Sequence, residues 1–277
     1  MPQAGLTDLL TTAAARGRGL GAFNVFSIEH AEAIVAGAEA AESAVVLQLS
    51  QNAVRYHGAL LPIGLATLAI ARAGRVPAAV HLDHADDLDL VDKAIELGFS
   101  SIMFDASRLP YAANVKATAD VVRRGHRGGL AVEAELGEVG GKDGVHAPGA
   151  RTRPGEAREF VAATGVDALA VAVGTSHAMA ERRTAVDLEL ISELRNAVPV
   201  PLVLHGSSGV ADEELRRAVR AGMTKINMAT HLNHVFTNSV RETLASKPDL
   251  IDSRRYLGPA RDAMAAEVAR LLVLLSA

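Results

Sequence analysis

The stretch AAVHLDHADDLDLVDKAIELGFSSIMFD (78–105) contains one complete strand–helix–strand unit. Its apolar runs at 78–83 and 100–104 are typical of buried parallel strands, because a strand covered on both faces reads as a continuous run of aliphatic residues. Between them, two aspartates precede a segment with helical spacing of its apolar residues, which predicts a helix at 86–97. The unit therefore predicts an α/β fold with a parallel sheet.

The same unit recurs along the whole chain, with no linker or change of composition between repeats. Further strand-like runs lie at 21–25, 44–50, 130–135, 167–173, 200–205 and 223–227. Further helical patterns lie near 5–16, 29–41, 61–73, 111–125, 154–164, 187–197, 211–221, 231–245 and 259–275. Eight strand–helix repeats predict a single (β/α)₈ barrel domain, a TIM barrel, over residues 1–277. A doubly wound open sheet is the alternative.

The composition fits a large aliphatic core and excludes several classes of function. The chain is 49% hydrophobic, has no Trp and no Cys, and carries a net charge of −4. The lack of Cys excludes disulfides, thiolate catalysis and cysteine zinc sites. Acidic and basic residues are mixed, so no basic stripe indicates a nucleic acid or membrane partner. With no signal-peptide pattern and no long apolar run, we expect a cytoplasmic protein.

Three histidines follow strand-like runs and are candidate metal ligands. His84 ends AAVHLDH, His177 follows ALAVAVGTS, and His205 ends PLVLH. A single histidine at a strand end is usually a structural residue, but the carboxyl ends of barrel strands gather at one end of the fold. Three neutral imidazoles there would form a catalytic zinc site with one position left for substrate. Asp83, beside His84, is the candidate general acid or base.

Two carboxylates, Asp105 and Glu135, end the fourth and fifth predicted strands. They are candidates to hold a second cation or to hydrogen-bond a histidine ligand and orient it. The alternative is that they only satisfy N–H groups of the following loops. Glu133 is expected one layer deeper on the same face as Glu135, and His81 is expected to pack inside the barrel.

Glycine-rich turns follow the last two predicted strands. HGSSG (205–209) and KINMAT (225–230) each lead into a helix, where backbone N–H groups of a barrel commonly hold a phosphate. Walker and Rossmann glycine motifs are absent from the chain. A long segment at 137–153 contains five glycines and is expected to form a lid over the catalytic face.

Taken together, the motifs resemble one known family over nearly the whole chain, from 23 to 264. The strings that carry the resemblance are LDH (82–84), VEAELGEVGG (132–141), GTSH (174–177), LVLHGSSGV (202–210) and KINMAT (225–230). In order and spacing they are similar to the class II, zinc-dependent ketose-bisphosphate aldolases, in the fructose-bisphosphate and tagatose-bisphosphate branch.

The resemblance implies a (β/α)₈ barrel that forms a homodimer or homotetramer. It implies reversible cleavage of fructose- or tagatose-1,6-bisphosphate to dihydroxyacetone phosphate and glyceraldehyde 3-phosphate, a reaction of glycolysis and related carbohydrate metabolism. The implied metal residues are His84, His177 and His205 for Zn²⁺, with Asp105 and Glu135 for a second divalent ion. A monovalent cation, Na⁺ or K⁺, is implied near the phosphate, and Asp83 would exchange a proton with the C4 hydroxyl.

The substrate contacts implied by the resemblance come from several strand ends. They are Asn24, Ser50, Ala178, Gly206, Ser208, Asn227 and Thr230, with Arg255 and Arg261 as candidates for a distal phosphate, across a subunit interface. The chain also departs from the family pattern. The lid string GGKDG offers Asp143 where a glutamate is usual, and HAMAERR lacks the usual Tyr-Lys pair.

These departures leave alternatives open. One is an aldolase of the same class acting on another ketose 1-phosphate. Another is a non-catalytic, sugar-phosphate-binding helper subunit on the same barrel, since fold does not determine function. A third is a Schiff-base aldolase that uses Lys225, which lies within a predicted strand.

Overall fold

Eight parallel strands close into a barrel in the order in which they follow along the chain. The computed structural model describes residues 3–136, 151–175 and 185–276. The strands are β1 (Leu20–Asn24), β2 (Val45–Ser50), β3 (Ala78–Ala85), β4 (Ser101–Phe104), β5 (Ala131–Leu136), β6 (Ala168–Val171), β7 (Leu202–Leu204) and β8 (Met223–Met228). Because β8 also pairs with β1, the barrel is closed, which confirms the predicted single-domain (β/α)₈ fold and excludes an open sheet.

Helices surround this barrel. They are α1 (Leu6–Ala15), α2 (Ile28–Ala40), α3 (Gln51–His57), α4 (Leu60–Ala73), α5 (Leu88–Leu97), α6 (Tyr111–Arg127), α7 (Pro154–Thr164), α8 (Leu188–Ala197), α9 (Asp212–Ala221), α10 (Thr230–Ser246) and α11 (Arg254–Leu275). The sequence-based prediction missed α3 and the short 3₁₀ turn Ser207–Gly209. It was also wrong about the start of α11, which begins five residues before 259 and contains Pro259 inside the helix.

The lower end of the barrel is sealed by apolar side chains. Leu6, Leu9 and Leu10 of α1 form one buried cluster with small and aliphatic residues of the strands, among them Ala22 and Val46. Five of the nine strand residues in this cluster are alanines, which fit the narrow interior of an eight-stranded barrel. Most buried polar residues of the described strands lie towards the opposite end, where the strands have their carboxyl termini.

No single described helix is long and apolar enough to cross a membrane. Helices α3 and α4 together have the length and apolar composition of a membrane span, but the chain bends by 115° at the break between them.

Candidate active site

Residues that face the barrel interior change from apolar to polar towards the carboxyl ends of the strands. Alternate residues of a strand share one face. On that face β3 carries Ala79, His81 and Asp83, β5 carries Ala131, Glu133 and Glu135, and β1 carries Ala22 and Asn24. Along these strands the inward-facing residues are therefore apolar at the lower end of the barrel. Buried polar residues come next, and the predicted site residues lie at the carboxyl ends.

A cavity of about 270 Å³ opens at this end of the barrel. Eight residues predicted from the sequence line it: Asn24, Ser50, Asp83, His84, Gly206, Ser208, Asn227 and Thr230. Four lining residues were missed: Phe26, Gln48, Asn52 and Ala229. The signal for Gln48 was present, since it is a polar residue two positions before Ser50 in an otherwise apolar strand.

Asp83 and His84 both line the cavity although they are neighbours in sequence. In a regular strand they would point to opposite faces. His84 has a φ of 49°, in the left-handed region, and the pairing of β3 with β4 shifts register between Leu82 and Ala85. A non-glycine residue in this region costs on the order of 1 kcal/mol and is typical of functional sites. The irregularity brings the predicted acid/base group and the predicted metal ligand together.

The described residues contain two overlapping groups with metal-binding geometry. In each, one ligand atom per residue lies within 4.8 Å of the others: Asp83, His84 and His205 form one group, and His84, Asp105 and Glu135 the other. The rings of His84 and His205 meet edge to face, with centroids 4.7 Å apart. Imidazole nitrogens with carboxylate oxygens suit a divalent transition metal such as zinc.

The carboxylates at the ends of β4 and β5 contact the two histidines. Asp105 Oδ2 lies 2.8 Å from His84 Nδ1, and Glu135 Oε2 lies 3.5 Å from His205 Nδ1. Asp105 Oδ1 also accepts hydrogen bonds from the backbone N–H and the hydroxyl of Ser107. Asp105 thus both contacts a candidate ligand and satisfies a loop N–H group, which are two of the expectations from the sequence.

Asp83 is held by a chain of amide side chains. Gln48 Nε2 donates to Asn24 Oδ1 at 2.8 Å, and Asn24 Nδ2 donates to Asp83 Oδ2 at 3.3 Å. The other carboxylate oxygen, Oδ1, is buried and has no hydrogen-bond partner among the described residues. A buried acceptor without a partner is costly. This oxygen is therefore suited to contact a bound substrate or metal ion.

A fully buried polar layer lies directly beneath the cavity. Glu133 Oε1 lies 3.0 Å from His205 Nε2, and Lys225 Nζ donates to Glu133 Oε2 at 2.8 Å. His81 Nδ1 is 2.8 Å from Ser101 Oγ. Burial, together with the Lys225 ammonium, holds the pKa of His81 well below its usual value, so this imidazole is neutral. Lys225 is ion-paired below the cavity, which weighs against imine chemistry at this lysine.

The turns after β7 and β8 form the other side of the cavity. Gly206 has a φ of 67°, which favours glycine, and Ser207 Oγ donates to the Asn227 carbonyl. Ser208 Oγ accepts from the backbone N–H groups of Ala229 and His231, each at 3.3 Å. Helix α10 begins here, at Thr230, so its amino-terminal N–H groups lie beside the cavity. Such an end attracts anions.

Two predicted residues of the described part of the chain, Arg255 and Arg261, do not line the cavity. Arg261 Nη1 lies 3.0 Å from Glu32 Oε2, and its Nε lies 3.2 Å from Asp262 Oδ1. Arg255 lines a separate surface depression formed by residues 246–252. The predicted residues His177, Ala178 and Asp143 lie outside the part of the chain that the structure describes.

Residues 4–277 match the family model for fructose-bisphosphate aldolase class II. The chain belongs to this family. It is 39% identical over 284 residues to the fructose-bisphosphate aldolase of Thermus caldophilus, covering 93% of this chain and 92% of that one. It is 39% identical over 258 residues to the enzyme of Geobacillus stearothermophilus, covering 90% and 88%.

A solved aldolase structure has the same overall fold as this chain. The crystal structure of the YdjI aldolase from Escherichia coli K12 superposes with a TM-score of 0.84 at 28% identity, covering 99% of this chain and 97% of that one. Membership of the family makes the chain a lyase that acts on a sugar phosphate, in a family that generally depends on a metal ion. The groups around His84 and His205 have ligand atoms close enough together to hold such an ion.

Proposed function

We propose that the protein is a zinc-dependent aldolase that reversibly cleaves fructose- or tagatose-1,6-bisphosphate to dihydroxyacetone phosphate and glyceraldehyde 3-phosphate. The observation that carries the proposal is that ligand atoms of Asp83, His84 and His205 lie within 4.8 Å of one another, and that Asp83 and His84 line a cavity whose other wall includes the turn after β7. His84 and His205, with His177 outside the described residues, would hold Zn²⁺. When bound, the ion would act as a Lewis acid for the negative charge that develops on the dihydroxyacetone half.

The residues of the chain supply proton transfer and orientation. Asp83 accepts the proton of the C4 hydroxyl as the C3–C4 bond breaks, and returns it in the condensation direction. Asn24 keeps the Asp83 carboxylate in one orientation, and its hydrogen bond from Gln48 fixes the amide. Asp143, from the predicted lid, is proposed to handle the proton at C3.

The remaining substrate contacts divide between the two ends of the sugar. Gly206, Ser208, Asn227 and Thr230 are proposed to bind the phosphate at C1, and Asn24, Ser50 and Ala178 the rest of the chain. A monovalent cation, Na⁺ or K⁺, is proposed near the phosphate, and a second divalent ion at Asp105 and Glu135. We further propose a cytoplasmic location, since phosphorylated sugars do not cross membranes unaided.

One observation favours a second candidate substrate class. Among the described residues that line the cavity, none is a lysine or arginine that would neutralise a distal phosphate. Either Arg255 or Arg261 comes from a partner subunit of a homodimer or homotetramer, or the substrate is another ketose 1-phosphate without a second phosphate. A helper subunit without catalysis is disfavoured, because the buried Asp83 Oδ1 has no structural partner among the described residues.

The test is release of dihydroxyacetone phosphate from fructose and tagatose 1-phosphates and 1,6-bisphosphates, with and without a chelator. We expect release from one bisphosphate, loss of release with chelator, and recovery with added Zn²⁺. Release from a monophosphate alone would support the second candidate. Chelator-resistant release with borohydride trapping would overturn the zinc mechanism in favour of an imine at a lysine. Binding without release from any of the four sugars would support the helper subunit.

A further inference from the structure

An ion pair crosses the centre of the barrel without touching the cavity. Lys225 on β8 and Glu133 on β5 are 92 residues apart in sequence, and their side chains are fully buried. His205, at the end of β7, contacts the same carboxylate from 72 residues away and is also fully buried. The proposed reaction assigns no role to Lys225 or Glu133.

A buried ion pair needs an explanation beyond stability. Removing two charges from water costs several kcal/mol per ion, and apolar residues of similar volume are often as stable or more so. Here one carboxylate oxygen accepts from Lys225 while the other faces His205 Nε2. The pair therefore supplies a carboxylate acceptor, held in one orientation, to a candidate metal ligand.

The acceptor determines which nitrogen of His205 carries the proton. A neutral imidazole has one N–H and one unprotonated nitrogen. With Nε2–H donating to Glu133, Nδ1 is the unprotonated nitrogen. Nδ1 is also the atom on the side of Glu135, 3.5 Å from its Oε2. Metal-binding histidines commonly donate their other N–H to a carboxylate, which fixes the tautomer and ring orientation.

We propose that the Lys225–Glu133 pair is a positioning device that holds His205 in the tautomer with Nδ1 ready to bind the metal ion. Glu133 acts through its hydrogen bond from His205, and Lys225 acts through Glu133 by donating to its other carboxylate oxygen and holding it in place. This inference rests on the proposed metal site. It also gives Lys225 a role that needs no contact with substrate.

The main test is metal affinity of the double variant Glu133→Leu/Lys225→Met, measured by competition between the metal-free protein and a chromophoric zinc chelator. The variant removes both charges together, so no buried charge is left unpaired. We expect zinc binding to weaken by about 10- to 100-fold, the usual effect of removing an outer carboxylate, with the absorption spectrum of bound Co²⁺ also altered. Thr67→Val, a buried substitution in α4 where the hydroxyl donates to the Ile63 carbonyl, is the control and is expected to leave zinc affinity unchanged, because α4 belongs to the surrounding helices and not to the proposed metal site.

The outcomes separate this inference from the proposed function. If the unmodified protein binds no zinc stoichiometrically, the proposed function fails. If it binds zinc and a folded double variant binds as tightly, the positioning role fails. A second measurement needs no variant: nitrogen NMR of the metal-free protein should show His205 as the Nε2–H tautomer. A protonated Nδ1, or a mixture of tautomers, would overturn the inference.

Discussion

The two sides of the cavity use different chemistry. On one side, called here the metal side, the titratable residues Asp83 and His84 line the cavity, and the fully buried His205 lies within metal-binding distance of them. The other side, called here the phosphate side, is formed by the turns after β7 and β8. It presents backbone N–H groups and small hydroxyls, such as that of Ser208. A metal ion and a moving proton require charged groups at fixed positions, whereas a phosphate is held by many neutral donors. Changes on the first side should therefore affect kcat, and changes on the second should affect KM.

The two sides are also held in place by different contacts. The metal side stands on the fully buried pair of Lys225 and Glu133. The phosphate side is braced near the surface, where His231 Nε2 on α10 lies 2.6 Å from Glu267 Oε1 on α11. Burial alone would raise the pKa of Glu267, but hydrogen bonds from Arg270 and His231 outweigh it and lower the pKa to about 2.

The largest effect is expected on the metal side. Asp83→Ala should lower kcat by about 10³-fold, because proton transfer by a positioned group contributes on the order of 10²–10⁴. Bound zinc should remain, since the histidine ligands are unchanged. Steady-state kinetics with metal analysis checks both. Asp86→Ala, three residues further on and mostly exposed, is the control. A near-normal kcat in Asp83→Ala would show that the acid/base assignment is wrong.

A smaller effect, on KM instead of kcat, is expected on the phosphate side. Ser208 Oγ accepts from two backbone N–H groups, which leaves its single hydroxyl proton to donate to a phosphate. Ser208→Ala should raise KM by about tenfold with little change in kcat, as for an interaction equal in ground and transition states. Ser192→Ala, an exposed serine of α8, should change neither constant. A loss confined to kcat would contradict the division between the two sides.

The smallest effect concerns stability. Glu267→Gln should lower the free energy of unfolding by about 1 kcal/mol at neutral pH, through weaker bonds to Arg270 and His231. A lowered carboxylate pKa stabilises the fold above the ordinary value of 4.5, and that contribution is lost as the pH falls towards 2. Urea unfolding of the unmodified protein and of Glu267→Gln should therefore give free energies of unfolding that converge as the pH falls below 4.5.

The control for this measurement is Glu213→Gln, which removes an exposed ion pair with Arg216 on α9. Such surface ion pairs contribute about 0–1 kcal/mol to stability. We therefore expect Glu213→Gln to change the free energy of unfolding very little at every pH. A stability difference for Glu267→Gln that stays constant between neutral pH and pH 3 would show that the charge of Glu267 does not brace the phosphate side.

The fold was predictable because strand runs and helical periods are local signals. All eight strands were predicted to within a few residues, since buried parallel strands are continuous apolar runs. Helix α3 was missed because seven residues are too few to show a helical period. The predicted start of α11 coincided with Pro259, a residue favoured in first turns. The structure extends the helix through this proline, which removes only one backbone donor.

The sequence by itself determined which chemistry gathers at the carboxyl end of the barrel. Polar residues end apolar strands, and a closed parallel barrel places all strand ends together, so eight predicted residues line one cavity. Tertiary structure alone decided the rest. The left-handed backbone at His84 turns it beside Asp83, and barrel closure brings Lys225 and Glu133 beneath His205. The contacts of Glu133 join residues 92 and 72 positions apart, and no local sequence pattern encodes how such residues meet.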